Sequence, residues 1–303
     1  MKSIAHIAGL GLITLMAFKS IRQHSVATGF PAFDTEAHRG GRGLWPENTI
    51  LAMKGAVDLG VTTLEMDTHV TADGKVVLSH DDYLNPQFTL SPDGKEFAQQ
   101  EAEQLILYKM KYADLRKYDV GSKFYSKFPK QEKIKSHIPL LADVIDSVQQ
   151  YIKVSGKKQP FYNIETKCDV AGDNKFNPEP EQFVKLLMDV VVRKEILPYV
   201  VIQSFDVRTI QLIHKKYPEV HVSYLVDDNH GLKTFEKSMA FLGFKPYIYS
   251  PAYKMVDAAL VQKCHDQGIK IIPWTVNSKK EITSLKTLKV DGIISDYPDL
   301  LVK

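Results

Sequence analysis

Glu181 to Leu225 reads EQFVKLLMDVVVRKEILPYVVIQSFDVRTIQLIHKKYPEVHVSYL. Its first part, Glu181 to Ile196, repeats apolar residues at three- and four-residue spacing, as the inner face of a helix does. Val200 to Ile202 is a short unbroken β-rich run, the pattern of a strand covered on both faces. The pair then recurs. Val207 to Tyr217 has helical spacing, and Val220 to Leu225 is again strand-like. Strands alternating with helices of this length predict right-handed βαβ units and a parallel sheet.

The alternation extends in both directions. Strand-like runs occur at Val61 to Leu64, Phe161 to Ile164, Tyr247 to Tyr249, Ile269 to Ile272 and Gly292 to Ile294. Helical patterns lie at Thr49 to Leu59, Leu141 to Tyr151, Leu232 to Leu242, Val256 to Gln267 and Lys279 to Leu288. With a first strand just before His38, the chain has about eight units, the count of an α/β (β/α)8 TIM-type barrel. Asp82 to Pro139 breaks the rhythm and is too long for an ordinary βα loop. It reads as an insertion after the second strand, lying over the barrel mouth of one domain that spans 28–303. Its lysine- and aromatic-rich stretch from Lys109 to Lys135 either caps the rim or shapes one side of a pocket there.

Bulk properties exclude several classes. The chain has 303 residues, 44% apolar and 25% charged, ordinary values for a globular protein. A net charge of +3 with no dense basic helix argues against a nucleic-acid partner. No stable protein partner is implied. Cys168 and Cys264 show no metal-ligand spacing and read as free thiols. Residues 1–27 read as a signal peptide. Lys2 opens them, Ile4 to Phe18 is an apolar run short for a membrane span, and Ser25-Val26-Ala27 is a small-x-small cleavage site. That predicts a periplasmic or secreted protein; the alternative is an uncleaved N-terminal membrane anchor.

The chemistry-bearing residues gather between His38 and His80. His38-Arg39-Gly40-Gly41-Arg42-Gly43 allows backbone amides to approach a ligand closely and adds two cationic groups suited to phosphate. Pro46-Glu47-Asn48-Thr49 follows, with Asn48 or Thr49 placed to cap the next helix. In Thr63-Leu64-Glu65-Met66-Asp67, side chains alternate along a strand, so Glu65 and Asp67 share a face. Two adjacent carboxylates repel unless a cation or proton lies between them, and a hard divalent ion such as Mg²⁺ or Ca²⁺ suits them. The Asp73-Gly74 turn then brings His80 back toward that pair, as a candidate acid or base. By the same alternation Asn163, Glu165 and Lys167 share a face, offering a third oxygen ligand and a phosphate-binding cation. His69 and His137 read as structural or surface histidines.

His-Arg-Gly, Pro-Glu-Asn-Thr, Glu-x-Asp, the Asp-Gly turn and His-Asp, in this order and spacing, resemble the glycerophosphodiester phosphodiesterases. The resemblance continues through Glu165-Thr166-Lys167, Gln203-Ser204-Phe205, Trp274-Thr275-Val276-Asn277 and Asp291 to Pro298, and so spans nearly all of Glu36 to Leu301. It implies metal-dependent hydrolysis of a small glycerophosphodiester to glycerol phosphate and an alcohol. It implies Glu65, Asp67 and Glu165 as ligands of Ca²⁺ or Mg²⁺, and His38 and His80 as the general acid and base. Arg39 and Lys167 would bind phosphate oxygens, Gln203 and Trp274 would line the pocket near glycerol, and Glu47 would orient the Arg39 loop. Two features depart from the family. The insertion is long, and the first strand, Asp34-Thr35-Glu36-Ala37, is more acidic than expected.

Overall fold

The computed structural model describes residues 29–227 and 234–302, so the segment 1–27 read above as an export signal lies outside the described residues. The strands are β1 (Asp34–Ala37), β2 (Thr63–Val70), β3 (Val76–Leu78), β4 (Phe161–Thr166), β5 (Val200–Ser204), β6 (His221–Val226), β7 (Ile248–Pro251), β8 (Lys270–Ile271) and β9 (Gly292–Ser295). The parallel ladder runs β8-β7-β6-β5-β4-β2-β1-β9, with β3 antiparallel to β2. Two backbone bonds draw β9 toward β8. Asp291 N–H donates to the Ile271 carbonyl at 2.9 Å and Ile294 N–H to the Pro273 carbonyl at 3.0 Å. Eight parallel strands thus form a nearly closed barrel, as the alternation predicts.

The helices are α1 (Ile50–Leu59), α2 (Gln99–Ala102), α3 (Tyr112–Leu115), α4 (Leu141–Ser155), α5 (Pro180–Arg193), α6 (Val207–Lys216), α7 (Phe235–Leu242), α8 (Ala258–Asp266) and α9 (Lys279–Thr287). Those outside the insertion cover the barrel with their apolar faces. α5 buries Phe183, Val184, Leu187, Met188 and Val191. Short polar side chains close the loops that lead into the helices. Thr49, Asp206, Asp257 and Ser278 each accept a hydrogen bond from a first-turn amide. None of the described helices is long and apolar enough to cross a membrane.

The acidity of β1 has a structural reason. Asp34 and Glu36 alternate with Thr35 and Ala37, and both acids are buried. Asp34 accepts from the hydroxyls of Thr62 at 2.5 Å and Thr63 at 2.7 Å, and Glu36 accepts from Asn163 at 2.8 Å. Burial raises both carboxyls, Glu36 well above its usual value, with the neighbouring Asp34 charge adding to the effect. The barrel interior is polar beneath the site, and these neighbours satisfy part of it.

The segment 82–139 carries α2, α3 and a small apolar cluster of its own, built from Leu84, Phe97, Leu107, Leu115, Val120 and Ile138 with Val77 of β3. β2 is longer than the run Val61 to Leu64 implies because Glu65 to Thr68 go on pairing with β4 and β3 folds back to pair Thr68 to Val70.

Leu64 and Met66 are wholly buried against the covering helices. Replacing Leu64 by Ala should cost about 2–5 kcal/mol of stability, read as a lower urea midpoint at unchanged slope. A loss under about 1 kcal/mol would contradict the packed wall.

Candidate active site

The parallel register of β2 and β4 builds the acidic centre. Asp67 lies beside Glu165, and Glu65 beside Asn163. Alternation turns Glu65, Asp67 and Glu165 to one face, so one oxygen from each falls within 4.8 Å of the others. All three are buried. The Oδ1 of Asp67 is buried and accepts no hydrogen bond, which leaves it available to a cation.

The loop after β1 wraps this centre with donors. Arg39 adopts φ 52°, and its amide donates to Glu65 Oε2 at 2.7 Å. Its guanidinium reaches Asp67 Oδ2 at 3.2 Å and donates to Glu47 Oε1 at 2.8 Å. Gly40 follows at φ 79°, and a Cβ there would meet the Cβ of Ala52 at 2.7 Å, so the loop can lie against α1 only without a side chain. Asn48 donates to Asp67 Oδ2 at 2.8 Å, while Thr49 caps α1. Gln203 of β5 donates to Glu65 Oε1 at 2.8 Å. Lys167 pairs with Glu165 at 3.1 Å.

The two histidines are held alike. His38 Nδ1 lies 2.6 Å from Asp296 Oδ1, and His80 Nδ1 lies 2.8 Å from Asp81 Oδ1. An ionised carboxylate only accepts, so each Nδ1 carries the proton and each neutral ring keeps a bare Nε2. Asp296 also accepts from Arg42 Nε at 2.6 Å and Asn277 at 2.7 Å. His69 is buried within β2, its Nε2 against the His80 carbonyl at 3.2 Å, and His137 is exposed.

A cavity of about 110 Å³ joins these groups, with His38, Arg39, Arg42, Glu65, His80, Glu165, Lys167, Gln203 and Trp274 in its wall. An outer cavity of about 460 Å³ shares His80, Glu165, Lys167, Phe205 and Trp274 with it. Trp274 spends its Nε1–H on the Ser250 carbonyl at 2.9 Å, so it offers the cavity an aromatic face.

Charge in this space is finely divided. Burial, then the Asp67 charge, pushes Glu65 well above the usual carboxylate range. Glu165 is pushed up to about 7, by burial and by Asp67 against the pull of Lys167. Asp67 goes the other way. Burial opposes its ionisation, but Arg39, His80 and Lys167 hold it well below the usual value. Burial and the Arg42 charge lower His38 to about 4, against the pull of Asp296, and burial with Lys167 lowers His80. Burial opposes the ionisation of Asp296, but the His38 contact and then Arg42 hold it well below the usual carboxylate range. A cluster of acids that resist full ionisation without a cation, beside an oxygen with no donor, fits a hard divalent ion.

Residues 38–300 match the glycerophosphoryl diester phosphodiesterase family. The chain belongs to that family. It is a phosphodiesterase, a hydrolase of phosphoric diesters. A glycerophosphodiester phosphodiesterase of Bacillus altitudinis is 30% identical over 268 residues, covering 88% of this chain and 96% of the relative. A solved structure from Silicibacter pomeroyi, assigned to the glycerophosphoryl diester phosphodiesterases, superposes with a TM-score of 0.78 at 27% identity, over 90% of this chain and 93% of the other. An Oleispira antarctica phosphodiesterase, solved with the product sn-glycerol-3-phosphate, shares the fold at a TM-score of 0.68 and 24% identity, over 88% and 94% of the two chains.

In this phosphodiesterase every site residue named from sequence lies in one place. Glu47 is outside the cavity wall and reaches it through Arg39 at 2.8 Å and Arg42 at 3.7 Å. Gln203 lines the cavity and also braces Glu65, a contact that sequence reasoning did not anticipate. Reasoning from sequence took Arg42 only as a cation suited to phosphate and Asn48 only as a candidate helix cap, and it assigned no role to Asp81 or Asp296. Asp81 could have been found, since it follows His80 directly. Asp296 could not, because it meets His38 across 258 positions.

Asp296→Asn removes the charge that raises His38. The variant should lose roughly 10²- to 10³-fold in kcat, within the range that general acid–base groups supply. The limb of its pH–rate profile that belongs to His38 should move to lower pH. An unchanged profile would mean that the contact is only structural.

Proposed function

We propose that this phosphodiesterase hydrolyses glycerophosphodiesters to glycerol phosphate and an alcohol, using Ca²⁺ or Mg²⁺ and the proton-transfer pair His38 and His80. The observation that carries the reading is the convergence of Glu65, Asp67 and Glu165 between two histidines whose Nδ1 atoms are each anchored by a carboxylate. The glycerol phosphate held by the Oleispira relative supports that half of the substrate.

Glu65, Asp67 and Glu165 would hold the ion, which supplies a fixed positive charge beside the diester. Arg39, Arg42 and Lys167 neutralise phosphate oxygens that would otherwise repel a nucleophile. Glu47 holds the Arg39 guanidinium at its working angle, while Gln203 and Trp274 line the glycerol side. One histidine Nε2 takes the proton of the attacking hydroxyl as the new P–O bond forms. The other histidine, protonated once the diester's negative charge lies beside it, gives its proton to the departing alcohol oxygen. Asp296 and Asp81 steady whichever imidazole is cationic. Export through residues 1–27 belongs to the same proposal and rests on Lys2, the apolar run and Ser25-Val26-Ala27.

Chelation should abolish activity on glycerophosphodiesters and Ca²⁺ or Mg²⁺ should restore it, in a coupled assay for glycerol phosphate. Full activity after exhaustive chelation would remove the metal from the mechanism. His38→Ala and His80→Ala should each lower kcat by roughly 10²- to 10⁴-fold with the fold intact. The variant lacking the acid should recover on a nitrophenyl diester, whose leaving group needs no proton. Two variants with near wild-type rates on the natural diester would exclude the pair.

A further inference from the structure

Residues 121–136 form a loop closed at its base, and the reaction gives its outer surface no role. Val120 N–H donates to the Ser136 carbonyl at 2.8 Å and Ile134 N–H to the Gly121 carbonyl at 2.9 Å. Its inner side chains fasten it to the barrel mouth. The Phe128 ring lies 5.0 Å from the Arg42 guanidinium and 6.3 Å from Tyr297. Gln131 donates to the Arg42 carbonyl at 2.7 Å, and Glu132 N–H to that of Leu44 at 2.9 Å. The loop is therefore anchored beside an arginine of the reactive cavity.

Its outer face has a different composition. Phe124 is 52% exposed and Ile134 is 37% exposed, two of the six exposed large apolar side chains among the described residues. Lys127, Lys130, Lys133 and Lys135 lie in the same loop, all exposed, and none forms an ion pair with a carboxylate among the described residues. Lys133 Nζ lies 5.1 Å over the Phe124 ring. From Lys109 to Lys135 there are nine basic and three acidic residues, a net +6 against +3 for the whole chain, so the remainder is net negative. The positive charge is concentrated here rather than spread over the surface.

We propose that this loop docks the enzyme on an anionic lipid surface. The four lysines meet headgroup phosphates, and Phe124 and Ile134 enter the boundary between headgroups and acyl chains. Unpaired lysines near an anionic bilayer attract it over about a Debye length, and apolar side chains among them add the part that salt does not screen. An acidic protein or a nucleic acid would use the lysines but give the two exposed apolar side chains of the same loop no apolar partner. A lipid interface satisfies both. Because Phe128 and Gln131 tie the loop to Arg42, docking holds the barrel mouth at the surface. The proposal does not rest on the identity of the diester.

The test places a polarity-sensitive fluorophore on the full chain at S126C, an exposed loop position, while both native cysteines are buried. The signal then reports this loop and not another part of the chain. Vesicles of phosphatidylcholine with phosphatidylglycerol should shift the emission to the blue, and vesicles of phosphatidylcholine alone should not. About 0.5 M NaCl should weaken the shift by screening. K127E/K130E/K133E/K135E should abolish it while leaving hydrolysis of a soluble diester unchanged, and F124S should weaken vesicle affinity several-fold. No shift with anionic vesicles at low salt would overturn the proposal. So would an equal shift in the charge-reversed protein, or binding to polyglutamate or RNA without binding to vesicles.

Discussion

Three buried carboxylates that would repel one another are held in place by two parallel strands, and the site is organised around that repulsion. The register of β2 against β4 sets Asp67 next to Glu165, and the pleat turns Glu65 to the same face. Arg39 and Lys167 offset part of the repulsion, enough to keep Asp67 ionised but not to bring Glu65 down to its usual range. The Arg39 amide, Gln203 and Asn48 then fix the carboxylate orientations. The site is thus assembled as a receptor for positive charge, with cations around it as a receptor for negative charge. A metal and a phosphodiester together match that pattern.

The barrel serves this constraint. Ordinarily a barrel interior is filled by branched apolar side chains. Here Glu36, Asn163 and Gln203 are linked by hydrogen bonds through the Asn163 amide, and Asp34 is held by the hydroxyls of Thr62 and Thr63. Polar bracing from below explains why β1 departs from an apolar strand. From above, the loop of residues 121–136 packs Phe128 on Arg42, so the insertion supports the mouth from outside the wall.

Much of this was legible in the sequence, for reasons that particular residues show. The strand at Val200 and the helix at Val207 declared themselves because their periods differ, and that difference repeats along the chain. Glu65 and Asp67 were legible because strand alternation is a local rule. Glu165 needed more, since only the β2–β4 register brings it to Asp67. Asp296 was not legible as a partner of His38, because no local pattern links the first strand of the barrel to the last. Arg42 was readable as a cation, but its fixed contacts with Asp296 and Phe128 are tertiary. The apolar run marked only the start of β2, because its polar second half is held by pairing with β4 and then β3.

Direct metal binding tests the central claim. Calorimetric titration of the chelator-treated protein with Ca²⁺ and with Mg²⁺ reads affinity and stoichiometry without relying on turnover. The account predicts a single ion per chain for the wild type, with binding lost in Asp67→Asn, the variant that alters the carboxylate with the buried oxygen that accepts no hydrogen bond. Absence of binding by the folded wild type, or undiminished binding by Asp67→Asn, would contradict it.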